Sequence, residues 1–367
     1  MARAQRAPVF GKEGHRSPIY SIEVNHVDPS SNVFATAGST GVCVYAMLEG
    51  GAFELLQSYQ EPQMITSVRA DEETVTVYCC CWAEVAGSRA PLLCFCGSSG
   101  VIRVADTSQR RVVKSLLGHG SDVNDLKIHP VDRNLLLSCG KDESVRLWNL
   151  TTDAPVAIFA GTGGHCGDVL QCDFHLSGDR FVSCGMDSCT KVWALTGDVA
   201  EAIKQSYVHN ELTAKRAFPT RFVQYPVFSN NRHHFNYVDC VRFVGGLILS
   251  KSVHSTILLW QPLKFDKKQS RCEEITIAEF PFKGGNLWFV KFAVHLPTLR
   301  LATGTADGKI YVWSMKEIAP KLLIILHERR CTTCVRQVAF THSGSTVLGC
   351  CDDGTLWSWD LGKVAST

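Results

Sequence analysis

Two stretches of this sequence carry a histidine, a serine, an aspartate and a tryptophan in matching order. The first set is His119, Ser138, Asp142 and Trp148, and the second is His165, Ser183, Asp187 and Trp193. In each set the serine precedes the aspartate by four residues, and the aspartate precedes the tryptophan by six. Serine, histidine and aspartate are the members of a hydrolase triad, in which histidine activates the serine hydroxyl as a nucleophile. The chain therefore either carries an active site twice or is built from repeated units.

The tryptophan position recurs along the chain, which favours the repeat interpretation. Five units end at Trp148, Trp193, Trp260, Trp313 and Trp359, and two weaker units align at Tyr45 and Ala105. The shorter spacings, 43 to 46 residues, match the WD repeat of roughly 40–45 residues, which supplies the four strands of one propeller blade. Alternating apolar residues between tight turns also predict short strands. The sequence thus predicts an all-β, seven-bladed WD40 propeller.

The histidine, serine and aspartate decay from unit to unit, as scaffold residues do. Blade six keeps Thr303 and Asp307, blade seven keeps Asp353, and blade five has His254 at the aspartate position. A nucleophile needs one exposed and activated copy, whereas a buried network needs only mutual satisfaction of its polar groups. We therefore predict a structural network and no catalytic residue. The sequence also shows no glycine-rich phosphate loop and no nucleophile elbow.

Charge and cysteine content limit the partners and cofactors. The net charge is +2, from 37 basic and 35 acidic residues, so neither nucleic acid nor an anionic membrane is predicted as a main partner. Most of the 17 cysteines are expected as free thiols on buried strands. A zinc site takes about four ligands, and nothing completes the pair Cys331 and Cys334. No metal and no cofactor are predicted.

A propeller closes when its last blade is completed, and the two ends of the chain can pair to complete it. Residues 8–13 precede the first unit, while the last unit lacks a fourth strand. We therefore expect Pro8–Glu13 to form the outer strand of blade seven, which removes an open sheet edge. The predicted organisation is a tail at 1–7, one propeller at 8–361 and a tail at 362–367.

An insertion at about 198–233 separates blades four and five in this scheme. It is basic and rich in aromatic residues, and its prolines argue against a long helix. Two interpretations stay open for it, a partner-binding lobe and an ordinary packed loop.

One end face of the propeller carries a candidate binding site. At the start of each innermost strand, an apolar residue such as Leu287 is followed by a residue at the rim of the channel. The rim residues are Tyr20, Tyr78, Asn124, Leu170, Asp239, Trp288 and Arg336. The aromatic ones and Arg336 fall in four neighbouring blades, with Phe289 beside Trp288. Converging aromatic faces suit a quaternary ammonium such as trimethyl-lysine, although aromatic residues are also common on strands.

Several longer motifs resemble one particular family. "GHGSDVNDLKIHP", "NYVDCVRF" followed by "LILSKSV", and "NLWFVKF" are similar to the extra sex combs and embryonic ectoderm development proteins. "FPTRFVQYPVF" in the insertion resembles the plant branch, the fertilization-independent endosperm proteins. These are the WD-repeat subunits of Polycomb repressive complex two. The resemblance runs from about residue 14 to residue 360.

The resemblance implies a function and a set of partners. It implies a non-catalytic, nuclear subunit of a histone H3 lysine methyltransferase complex that reads trimethyl-lysine, stimulates the SET-domain catalytic subunit and supports transcriptional repression. The catalytic subunit is expected to place a helical segment on the face opposite the cage. The family's cage aromatics fall on Tyr20, Tyr78, Trp288 and Phe289, and Arg336 is a possible rim contact. The animal proteins usually have Phe at the position of Tyr20 and Tyr at the position of Phe289.

A second function class remains open at this point. A generic WD40 adaptor in ubiquitin ligation or signalling could use the same rim aromatics to bind an unmodified peptide. Titration with methylated and unmethylated lysine peptides separates the two classes.

Overall fold

The first strand of the chain and its last three strands share one sheet, and this sheet completes a set of seven. The computed structural model describes residues 8–14, 16–28, 30–61, 75–84, 91–209, 217–263 and 274–362. The predicted tails, except Gly362, lie outside the described residues. The predicted all-β, seven-bladed WD40 propeller is confirmed.

The first three blades follow one another along the chain. β1 covers Val9–Lys12, and blade one consists of β2 (Ile19–Val24), β3 (Val33–Gly38), β4 (Gly41–Met47) and β5 (Phe53–Gln60). Blade two consists of β6 (Val77–Ala83), β7 (Leu92–Gly97), β8 (Ile102–Asp106) and β9 (Arg111–Leu116). Blade three begins with β10 (Val123–Ile128), β11 (Leu135–Gly140), β12 (Val145–Asn149) and β13 (Pro155–Phe159).

The remaining blades contain the inserted segment and the closing strand. Blade four begins with β14 (Val169–Phe174), β15 (Arg180–Gly185) and β16 (Thr190–Ala194), followed by α1 (Asp198–Val208), β17 (Arg221–Val223) and β18 (Phe228–Asn230). Blade five consists of β19 (Val238–Val244), β20 (Leu247–Ser252), β21 (Thr256–Pro262) and β22 (Glu274–Pro281). Blade six consists of β23 (Ala293–His295), a 3-10 turn at Leu296–Thr298, β24 (Arg300–Gly304), β25 (Ile310–Ser314) and β26 (Lys321–Leu326). Blade seven consists of β27 (Val335–Phe340), β28 (Thr346–Cys351), β29 (Thr355–Asp360) and β1.

The core lies between neighbouring blades rather than in one central mass. The second strand of blade three, LLLSCG, is buried along its whole length because both faces of the sheet are covered. Leu137 and Leu147 of blade three pack with Val169 and Phe181 of blade four. The outermost strands, such as β9, expose part of their residues to solvent. This stacking holds each blade in place through its two neighbours.

Closure of the ring follows the prediction made from the two chain ends. β1 pairs antiparallel with β29, with Val9 opposite Ser358 and Lys12 opposite Thr355. The ring of Phe10 stacks on Trp357 at a centroid distance of 5.1 Å. Beyond the strand, the buried Glu13 carboxylate accepts hydrogen bonds from the hydroxyls of blade one described below. The outer strand of blade seven therefore also contacts blade one.

The inserted segment differs from the prediction in two respects. It contains an 11-residue helix, α1, because the stretch from Asp198 to Val208 has no proline and places Val199, Ala202 and Ser206 on one buried face. β18 is the outer strand of blade four and pairs with β16. The insertion therefore interrupts blade four before its last strand and does not separate blades four and five. β17 adds a fifth, parallel strand to blade three.

The sixteen cysteines described by the structure are free thiols, and most are buried. Within the described residues, no group of three or more His, Cys, Asp or Glu side chains is placed to hold a metal ion. The helix found in the described part of the chain is too short and too polar to cross a membrane.

Candidate functional site

The triad-like residues form closed hydrogen-bond networks in blades three and four. In blade three the Nδ1 of His119 lies 3.0 Å from the Asp142 carboxylate, and its Nε2 lies 2.7 Å from the hydroxyl oxygen of Ser138. Trp148 Nε1 donates to the same hydroxyl oxygen at 2.8 Å. The serine hydroxyl is thus fully buried and bonded on both sides, so no substrate reaches it.

Blade four repeats this geometry with its own four residues. His165 contacts Asp187 at 2.9 Å and Ser183 at 2.8 Å, and Trp193 Nε1 donates to Ser183 at 2.9 Å. Burial lowers the pKa of His165, partly opposed by Asp187, so the ring is neutral near pH 7. In a neutral ring, Nδ1–H donates to the carboxylate, and the unprotonated Nε2 accepts a hydrogen bond from the serine hydroxyl.

The remaining blades show how the network decays. In blade five, His234 and Trp260 still bond to Ser250, at 2.8 and 3.0 Å, but His254 replaces the carboxylate. Burial lowers the pKa of His234 to about 3. In blade seven, Gly349 stands at the serine position, and the buried Nε1 of Trp359 has no partner within the described structure.

Blade six and blade one depart further from the pattern. In blade six the Asp307 carboxylate accepts a bond from Thr305, not from Thr303. In blade one, Thr36 and Tyr45 donate to the Glu13 carboxylate at 2.6 and 3.0 Å. Glu13 therefore links the closing strand to the first blade.

The rim of the channel is shaped by β-bulges. The strand pairing is irregular at the rim residue in every blade but the sixth, at Tyr20, Tyr78, Asn124, Leu170, Asp239 and Arg336. A bulge leaves one residue unpaired and redirects its side chain. The predicted rim positions are therefore those whose side chains turn out of the regular ladder.

Three of the predicted cage rings meet at this rim. The centroids of Tyr20 and Tyr78 are 5.5 Å apart with planes at 87°, and those of Tyr20 and Phe289 are 5.9 Å apart at 78°. Tyr78 and Phe289 complete the triangle at 6.3 Å and 71°. Three nearly perpendicular rings form the corner of a box. Trp288 joins the group through Phe289, at 5.9 Å and 70°, and is 46% exposed.

Blade six reaches the rim differently from the prediction. Leu287 was expected to begin an innermost strand, but β23 starts only at Ala293, and residues 287–290 form bends and an irregular segment. Phe289 has a φ of 59°, in the left-handed region that non-glycine residues rarely adopt. This conformation brings Phe289 inward, where it is buried, while Trp288 stays exposed.

Arg336 supports the rim and does not point freely into solvent. Its guanidinium donates to the Asp352 carboxylate, at 3.0 Å from Nη2, and to the carbonyl oxygen of Trp288 at 2.9 Å. Its Cζ lies 6.0 Å from the centroid of Tyr20. Arg336 thus joins blade seven to the cage residues of blades six and one.

The far side of the rim is closed. Asn124 Nδ2 donates to the carbonyl oxygen of Val169 at 3.0 Å, and Leu170 is buried. Asp239 forms a fully buried ion pair with Lys251 at 2.8 Å. The aromatic opening is therefore confined to blades six, seven, one and two.

Charged residues that the sequence analysis did not single out line the channel below the cage. Lys291 Nζ lies 2.7 Å from Asp125, and Lys127 Nζ lies 3.2 Å from Glu23. Burial disfavours the charged form of Lys291, but the charge and hydrogen bond of Asp125, together with Cys79, more than offset it, so the pKa of this ammonium is raised. Charged residues among the apolar ones of inner strands, as in VNDLKI, were the available signal.

Comparison with known proteins places this chain in a family. A model of the WD domain, G-beta repeat, matches residues 110–149, 155–194 and 321–360. Polycomb group protein FIE2 of Zea mays is 39% identical over 349 residues, covering 95% of this chain and 89% of the relative. Polycomb protein esc of Musca domestica is 37% identical over 359 residues, covering 95% of this chain and 82% of the relative. The chain belongs to this Polycomb family.

A solved structure shares the Polycomb chain's fold. A chain of Chaetomium thermophilum Polycomb repressive complex 2 in complex with H3K27me3 and H3K27M has a TM-score of 0.78 at 18% identity. The match covers 97% of both chains and at this identity shows the propeller fold. The predicted resemblance and the prediction of a non-enzymatic WD-repeat protein are confirmed by the family membership.

Proposed function

We propose that this Polycomb protein is the non-catalytic scaffold and reader subunit of a histone H3 lysine methyltransferase complex. It binds a trimethylated lysine of the H3 tail between Tyr20, Tyr78, Trp288 and Phe289 and stimulates the SET-domain catalytic subunit. The result is transcriptional repression in the nucleus. The observation that carries the proposal is the corner of three nearly perpendicular rings at the channel mouth.

The chemistry of this corner favours methylated over free ammonium. A trimethylammonium group cannot donate hydrogen bonds and is weakly hydrated, so it gains roughly 0.5–2 kcal/mol from the ring quadrupoles. An unmethylated ammonium would lose stronger hydration on entering the same site. A short tail peptide also loses entropy on ordering. We therefore expect an affinity on the order of micromolar to tens of micromolar.

The comparisons support the choice of ligand. The structurally similar chain belongs to a Polycomb complex solved together with H3K27me3. This chain's relatives carry Polycomb names in plants and insects. Other Polycomb subunits are thus the proposed partners.

The catalytic subunit is proposed to contact the face opposite the cage. There, near the ends of the innermost strands of blades one and seven, a shallow recess with a mostly apolar surface is lined by Val24, Val33, Phe34, Met47 and Leu348, together with Ser31, Asn32, Thr341 and His342. An amphipathic helix places apolar anchors into such a recess. Cage and helix site then lie on different faces, so a partner and a peptide can bind together.

The first test is a peptide titration of the full chain by calorimetry. Trimethyl-lysine H3 peptide should bind in the micromolar range, with affinity falling through dimethyl and monomethyl to unmethylated lysine. Tyr78→Ala and Trp288→Ala should weaken trimethyl binding by about tenfold or more. Tyr225→Ala, which removes an exposed ring at the edge of blade three, is the matched control and should bind as wild type does.

The second test uses the reconstituted complex. Trp288→Ala should co-purify with the catalytic subunit, but the ratio of methyltransferase activity with and without trimethyl peptide should fall to about one, because a ligand shifts a population only by its differential affinity. Equal affinity for methylated and unmethylated peptides would instead support a generic peptide adaptor. Disassembly of the complex by the cage variants would contradict the separation of the two faces.

A further inference from the structure

A lysine occupies the channel directly beneath the aromatic corner. Lys291 is 1% exposed, and its Nζ donates to Asp125 Oδ1 at 2.7 Å and to the carbonyl oxygen of Asn124 at 3.3 Å. The same Nζ lies over the ring of Phe289, 5.0 Å from its centroid. The ammonium thus contacts one face of a cage ring from inside the channel.

The backbone of Lys291 is held as firmly as its side chain. Its N–H donates to the carbonyl oxygen of Arg336 at 2.7 Å, and it forms an isolated parallel bridge with Gln337 of blade seven. These contacts fasten the irregular segment of blade six to the neighbouring blade. They fix the position from which the side chain reaches Phe289.

Phe289 is the cage ring that most needs an external support. Its backbone is left-handed, with a φ of 59°, a conformation that persists only when the surroundings impose it. The Phe289 ring carries no polar atom that could anchor it, whereas the Tyr78 hydroxyl faces the Asp122 carboxylate at 3.5 Å. A cation over the ring face provides a directional contact in place of a hydrogen bond.

We propose that Lys291 is a positioning residue for the cage. Its ammonium lies over the inner face of the Phe289 ring and holds the ring in the orientation that completes the corner with Tyr20 and Tyr78. The inference rests on the proposed function, because the value of this orientation lies in binding trimethyl-lysine. Asp125 and the Asn124 carbonyl hold the ammonium in place, and the positive charge itself supplies the contact.

Lys127 provides a matched control in the same channel. It pairs with Glu23 at 3.2 Å and lies 3.9 Å from Asp125, the partner that it shares with Lys291. Among the ring contacts of the described residues, none joins Lys127 to a cage aromatic. Removing either ammonium takes a buried charge from the channel, but only one of them supports Phe289.

The experiment compares the affinity of Lys291→Met, Lys291→Arg and Lys127→Met, each in the full chain, for trimethyl-lysine H3 peptide. Each titration is run well below the melting temperature of the variant, so that the variant is folded. Lys291→Met keeps the length of the side chain without its charge and should weaken binding about tenfold. Lys291→Arg retains a cation and should stay within about threefold of wild type. Lys127→Met should bind as wild type does. Lys291→Gln, which can still donate to Asp125, should bind as weakly as Lys291→Met and serves if the Met variant does not fold.

Two results would overturn the proposal: wild-type affinity in both neutral Lys291 variants, or an equal loss in Lys127→Met. A crystal structure of Lys291→Met or Lys291→Gln separates this inference from the proposed function. The Phe289 ring should turn away from Tyr20 even if no trimethyl peptide binds to wild type. An unmoved ring would refute the positioning role whatever the peptide titrations show.

Discussion

At the residue scale, the same side chains that perform catalysis elsewhere here stabilise a fold. Ser138 has the geometry of an activated hydroxyl, but it donates to His119 and accepts from Trp148 inside a closed network. The sequence predicted this from the decay of the set among the blades. It did not predict the substitute in blade one, because Glu13 reaches Thr36 and Tyr45 from just beyond a strand that belongs to another blade.

Asp142→Ala should destabilise the protein by about 1–3 kcal/mol, because it leaves the buried ring N–H of His119 without an acceptor. Asp142 accepts the ring N–H of His119 and the backbone N–H of Gly120. Denaturant unfolding measures the difference, and Glu143→Ala at the neighbouring exposed position serves as control. Full stability combined with lost peptide binding would contradict the structural assignment.

His234 should make the protein sensitive to mild acid. Its pKa is about 3 in the folded chain and about 6.5 when unfolded, so between these values only the unfolded chain binds the proton. The free energy of unfolding is therefore unaffected by this histidine above about pH 6.5. It falls as the pH falls below that value, by about 2 kcal/mol at pH 5. His234→Gln should flatten the stability profile between pH 7 and pH 5, measured by denaturant unfolding. An unchanged slope, or the same flattening in the exposed control His327→Gln, would contradict this.

At the element scale, regular strands were predictable and irregular segments were not. Alternating apolar residues and a recurring tryptophan located the blades, because each blade buries side chains at equivalent strand positions. Helix α1 was missed, since prolines elsewhere in the insertion argued against a long helix. The late start of β23 was also missed, because the segment around Phe289 is held by hydrogen bonds of Trp288 and Lys291 to Arg336 of blade seven, which only the tertiary structure brings close.

Helix α1 is fastened to blade three by a buried polar contact, which gives an element-scale prediction. Asn149 Nδ2 donates to the Ser206 hydroxyl oxygen at 2.8 Å, and both residues are fully buried. Ser206→Ala should cost about 1–3 kcal/mol, because the Asn149 amide loses its acceptor. Chemical denaturation of Ser206→Ala and of Gln205→Ala, one residue away on the exposed face, gives the comparison. Equal stabilities would show that the helix is not held by this bond.

At the scale of the whole molecule, the ring places the two proposed binding sites on different faces. The aromatic corner opens on one face, and the apolar recess lies near the strand ends of the other face. Between them, the channel carries buried ion pairs such as Lys127–Glu23. The cage face was predicted from the repeat register and the partner site on the opposite face from the family resemblance, whereas the channel pairs join residues far apart in sequence and needed the closed ring to bring them together.

Ring closure gives the last prediction. Deleting residues 1–13 removes the β1–β29 pairing, the Phe10 stack on Trp357 and the Glu13 carboxylate that satisfies Thr36 and Tyr45. It exposes an edge in blade seven and leaves two buried hydroxyls of blade one unsatisfied. The melting temperature should therefore fall by at least about 5 °C, whereas deletion of residues 1–7 removes none of these contacts and should leave it unchanged. Glu13→Gln isolates the carboxylate from the strand and should show an intermediate loss. If the 1–13 deletion has the same melting temperature as the full chain, β1 does not close the propeller. The stability of the propeller must then come from the packing between blades alone.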